Sequence, residues 1–78
     1  MMVLSRRDVQ AILLHARPYY ERITFVGEDG TVIRVVRLPG EYVVQGGRGW
    51  TYWQRPLHLS LDDTIDYLLR HEVREYTT

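Results

Sequence analysis

The sequence predicts an α+β domain of order α-β-β-β-β-α, a four-stranded antiparallel meander with the N- and C-terminal helices packed on one face. Three observations carry this. Apolar residues repeat at helical spacing near both ends, and each stretch opens on a serine. The middle alternates apolar and polar residues, and glycine-bearing turns separate the alternating runs. With 78 residues there is room for one core, so residues 1–78 are read as a single small domain.

The first helix opens at Ser5. Ser5-Arg6-Arg7-Asp8 sets an N-cap hydroxyl three residues before a carboxylate, a capping-box pattern with Asp in place of Glu. Val9, Ile12, Leu13 and Ala16 form its buried stripe, and Pro18 forces Arg17 out of helical geometry. The last helix repeats this grammar. Ser60 caps, Asp62 and Asp63 put negative charge in the first turn, and Leu61, Ile65, Leu68 and Leu69 make the apolar face. Val73 and Tyr76 extend that spacing, and Asp66 with Arg70 reads as an i,i+4 ion pair. The two serines of the chain are both spent as caps, which leaves no serine as a nucleophile.

Between the helices, Glu28-Asp29-Gly30 reads as a three-residue hairpin loop with Gly30 left-handed. That register sets Phe25 opposite Ile33, Ile23 opposite Val35, and Glu21 opposite Arg37 as a charge pair. Leu38-Pro39-Gly40-Glu41 reads as a type II turn, which sets Val35 opposite Val44 and Val36 opposite Val43. Gly46-Gly47-Arg48-Gly49 reads as the third turn, leading into an aromatic strand over residues 50–55 that Pro56 ends. Alternation then puts Ile23, Phe25, Ile33, Val35, Tyr42, Val44 and Trp53 on one face, toward the helices. Arg22, Thr24, Arg34, Val36, Val43, Gln45, Trp50, Tyr52 and Gln54 fall on the other. Two helices cover about one face of such a sheet, so the second is expected to stand open. A helix on each face would leave each core thin.

Composition narrows function by exclusion. Without cysteine there is no disulfide framework and no thiolate metal site. No apolar run near the N-terminus is long enough for a signal peptide or a membrane span, so the expected location is the cytoplasm. Ten arginines balance ten acidic residues, and lysine is absent. Zero net charge disfavours a dedicated nucleic-acid binder and removes a long-range barrier to self-association.

The open face is the candidate site. Trp50 and Tyr52 beside Val36 and Val43, rimmed by Arg34 and Arg22, have the composition that protein interfaces select. The expected role is a non-catalytic interaction or regulatory module, self-associating or bound to another protein. The alternative is a single-stranded nucleic-acid binder that stacks bases on the same aromatics. A third reading, a small metal-independent ribonuclease, needs Arg55, His58 and Tyr52 to converge. The glycine cluster leads into a strand rather than a helix and lacks a following lysine, which argues against a phosphate loop. His58 with Asp62 and Asp66 is the one arrangement that suggests a cation, but helix-dipole and ion-pair duties account for both aspartates. His15 and His71 suit helix C-termini. No cofactor and no metal are expected.

Overall fold

Helix α1 spans Arg6–His15 and begins as the sequence predicts. The Ser5 hydroxyl accepts from the Asp8 amide at 3.1 Å, and the Asp8 carboxylate accepts from the Ser5 amide at 3.2 Å, closing the capping box. The backbone turns extended at Ala16, ahead of Pro18. The computed structural model describes residues 2–49 and 52–78, Tyr52 by its backbone alone.

Strands β1 (Arg22–Gly27), β2 (Thr31–Leu38) and β3 (Glu41–Arg48) form the antiparallel centre. Both hairpin registers agree with the sequence reading: Phe25 opposes Ile33, Ile23 opposes Val35, Val35 opposes Val44 and Val36 opposes Val43. Gly30 and Gly40 both take positive φ, at 83° and 77°, where L side chains are strained. Arg37 and Glu21, expected to pair, do not. Glu21 accepts from Arg17 at 3.0 Å. Arg37 instead donates to the Leu14 and Ala16 carbonyls at 2.8 and 3.2 Å, satisfying backbone acceptors that the end of α1 leaves open.

The fourth strand departs from expectation. Gly46 and Gly47 lie inside β3 rather than in the turn, so the outgoing strand enters late. It is split into β4 (Tyr52–Trp53), opposite Arg48 and Gly47, and β5 (Leu57–Leu59), opposite Val44, Val43 and Tyr42. Gln54, Arg55 and Pro56 therefore stand against only Gln45 and Gly46, one residue too many for a regular ladder. This is a bulge at a proline, which has no N–H for the ladder.

Helix α2 (Leu61–Arg70) opens on Ser60, whose hydroxyl accepts from the Asp63 amide at 3.1 Å. Ser60→Ala should cost about 0.5–2 kcal/mol, read as a lower urea midpoint; an unchanged midpoint would show that the cap contributes nothing. Val73 and Tyr76 do not extend this helix. The chain reverses through Glu72 at φ 51° and runs back as β6 (Val73–Thr77), antiparallel to β1. The sheet thus gains a fifth position, in the order β4/β5-β3-β2-β1-β6. An open edge on β1 would leave unpaired backbone groups beside the core, and β6 covers it. Asp66 pairs with Arg6 of α1 at 2.8 Å rather than with Arg70, tying the two helices together.

Both helices pack on the face that holds Ile23, Phe25, Ile33, Val35, Tyr42 and Val44. The core joins these to Val9, Leu13 and Ala16 of α1, Ile65 and Leu68 of α2, and Val73 of β6. The Tyr42 hydroxyl, drawn into this layer, donates to the Leu13 carbonyl at 3.1 Å.

Candidate functional site

Among the described residues the opposite face of the sheet carries no helix, and cross-strand register lays its residues out in rows. One row runs Arg22, Val36, Val43, His58 across β1, β2, β3 and β5. The next runs Thr24, Arg34, Gln45. Between them lies a shallow depression of about 210 Å³ lined by Arg22, Arg34, Val36, Val43 and Gln45. Four of the six residues that the sequence assigns to a partner surface, Arg22, Arg34, Val36 and Val43, are therefore contiguous. Of the other two, Trp50 lies outside the described residues. Tyr52 is placed by its backbone, opposite Arg48 and Thr31, a register position on the helix side of the sheet and not on the open face where the sequence reading sets it.

Trp53 corrects the sequence reading. It was expected among the core residues, yet it opposes Gly47 on the open face. There the Arg34 guanidinium lies 3.7 Å from the centre of its ring, a close cation–π contact. The reason is the late entry of β4: pairing that begins at Arg48 instead of Gln45 moves Trp53 to the other side. The Gln45 side chain donates to the Gln54 carbonyl at 2.9 Å and so braces the bulge.

His58 and Glu41 complete the rim, with Nδ1 of the imidazole 3.1 Å from the carboxylate. This contact, and that of Asp66 with Arg6, leave His58, Asp62 and Asp66 unconverged. Among the described residues no group of three or more potential ligands could hold a metal ion. The backbone also separates two members of the ribonuclease trio. Tyr52 stands opposite Arg48 and His58 opposite Val43, five residues along β3, or about 17 Å at strand spacing.

Sequence reasoning missed Trp53, Glu41 and His58 as members of this face. The signal for His58 is the Leu57-His58-Leu59 alternation just after Pro56, a short strand pattern. No helix among the described residues is long and apolar enough to cross a membrane. Comparison of the chain with protein-family models, with curated proteins and with solved structures gave no match.

Proposed function

We propose that this chain is a non-catalytic interaction module of the cytoplasm that works by docking its open sheet face against a second copy of itself. One observation carries the reading: a depression floored by Val36 and Val43 and ringed by Arg22, Arg34 and Gln45, on a sheet face that both helices leave uncovered. Apolar surface left in water forfeits about 25 cal/mol per Å² that burial would recover. The same face holds both signs of charge, Arg22 and Arg34 on one hand and Glu41 on the other. A two-fold interface can then match unlike charges with no second kind of partner. Zero net charge raises no long-range repulsion between copies.

Light scattering coupled to size-exclusion chromatography at micromolar concentration tests this. The parent should run as a dimer. A Val36→Glu, Val43→Glu double variant should run as a monomer with an unchanged far-UV circular dichroism spectrum. A monomeric parent, or a dimer indifferent to both substitutions, would overturn the reading.

Trp53 favours a second reading, single-stranded nucleic acid on the same face, because its ring stands there beside Arg34. Arg34 already covers that ring, however, and the arginines are matched one for one by acidic residues across the chain. Salt separates the two readings. A nucleic-acid complex weakens steeply as salt is added, and an apolar dimer does not.

A further inference from the structure

A second concavity, away from the sheet face, lies where the β1–β2 turn, the end of β3 and the last turn of α2 meet. It encloses about 350 Å³ and is lined chiefly by Asp29, Thr31, Arg48, Gln54, Tyr67 and His71. We propose that this cleft binds the oxyanion head, phosphate or carboxylate, of a small organic ligand.

Hydrogen-bonding capacity in the cleft is unevenly spent. The carboxylate of the cleft is already occupied, and of the side-chain acceptors among the described residues the Gln54 amide oxygen is left without a donor. One Asp29 oxygen accepts from the Thr31 amide at 3.0 Å, and the other faces His71 Nδ1 at 3.4 Å. The Thr31 amide, then its side chain, then His71 hold the Asp29 carboxyl below the usual carboxylate range, so at neutral pH it is ionised and engaged. The carbonyls at the end of α2 are also occupied: Leu68 and Leu69 accept from the His71 and Glu72 amides, and those of His71 and Glu72 from the Glu28 amide. The negative end of the helix is thus largely answered within the chain.

The donors, by contrast, are unspent. Among the described residues, the side chains of Arg48, Gln54 and Tyr67 make no hydrogen bond or ion pair within the chain. Burial pushes the Tyr67 phenol up, which keeps its proton in place as a donor. The Tyr67 hydroxyl sits over Gly46, in the space a Cβ there would fill, and the ring lies 5.0 Å from that of His71. Within the lining Asp29 balances Arg48, and the Arg70 guanidinium stands outside it, 5.8 Å from the Tyr67 ring, while Glu28 is matched by Arg74 at 3.9 Å. With its own carboxylate engaged, the cleft offers the Arg48 fork and the Tyr67 hydroxyl to an oxyanion. Its volume exceeds that of a bare ion and falls in the range of small-molecule sites, so the ligand carries an organic body.

The chain supplies its own probe and its own controls, since His71 lines the cleft while His15 and His58 lie elsewhere. Phenyl phosphate, benzoate, inorganic phosphate and uncharged phenol are titrated separately into protein with labelled histidine, and the imidazole C–H signals are followed by NMR. Phenyl phosphate or benzoate should shift the His71 signals saturably and leave His15 and His58 unmoved, with phosphate weaker and phenol weaker still. Which of the two anions binds tighter distinguishes phosphate from carboxylate. Arg48→Gln, an exposed position, should weaken binding roughly tenfold or more, and Tyr67→Phe by a smaller factor. Unsaturable shifts, equal shifts at all three histidines, phenol binding as tightly as phenyl phosphate, or full affinity in Arg48→Gln would each overturn the proposal. The face variants Val36→Glu and Val43→Glu should leave it untouched, because the two surfaces are separate.

Discussion

Phe25→Ala should lower stability by about 3–5 kcal/mol, the cost of deleting a fully buried aromatic side chain and leaving its cavity. Phe25 is completely buried at the middle of β1. Ile33 opposes it on β2 and Tyr76 on β6, whose ring lies 6.1 Å away, and it shares one core cluster with residues of both helices. No neighbour can collapse into the space without drawing two strands together. A domain of 78 residues has about 4–12 kcal/mol in total at typical stability per residue. The substitution therefore removes a large fraction of the whole, and at the low end it unfolds the protein. Urea titration followed by circular dichroism measures this. A loss below about 1 kcal/mol would mean that Phe25 is not a central core residue.

Gly27→Ala should be the most damaging of the glycine substitutions, at about 2–3 kcal/mol. A Cβ at Gly27 would lie 2.6 Å from the His71 carbonyl oxygen and 2.9 Å from an Asp29 oxygen. The first is backbone, and it accepts from the Glu28 amide at 3.3 Å, so it cannot retreat without breaking the link between the β1–β2 turn and the end of α2. The site is also where β1 and β6 slip register, between Val26 and Gly27. Gly30→Ala is the comparison. Gly30 has φ +83° and nothing within 4 Å of its added carbon, so its cost is conformational alone, about 1 kcal/mol. A urea series in which Gly30→Ala is the worse of the two would show that the close approach at Gly27 is not structural. The same series read by NMR should show the His71 signals displaced in Gly27→Ala and not in Gly30→Ala.

The contrast between those glycines also marks what a linear reading can see. Gly30 and Gly40 announce themselves, because a turn of a given length between alternating strands demands a left-handed residue at one position. Gly27 and Gly46 are glycines for another reason. His71 approaches the first and the Tyr67 hydroxyl fills the space beside the second, and both neighbours belong to the distant last helix and its cap. Local pattern contains neither demand, so the Gly46 cluster reads as a turn and the following strand is given the wrong face. Trp53 moves with it. The pair of Asp29 with His71, 42 residues apart, is likewise invisible until α2 folds back across the hairpin.

By itself, the sequence determined both helix starts, the two central hairpin registers and the segregation of an apolar from a mixed sheet face. These rest on interactions within a few residues: caps, turn conformations and side-chain periodicity. From them came Arg22, Arg34, Val36 and Val43 as neighbours on one open surface. Tertiary structure alone decided the fate of residues 73–77. Val73 and Tyr76 stand three apart, a helical spacing, yet the unpaired edge of β1 settles them as β6, and the register slip between Val26 and Gly27 sets them opposite Gly27 and Phe25. It also decided the bulge opposite Gln45 and Gly46, the placing of Trp53 beneath Arg34, and the assembly of Asp29, Arg48, Gln54, Tyr67 and His71 around one cleft. Local propensity is a weak constraint at these positions, and contacts between separate elements override it.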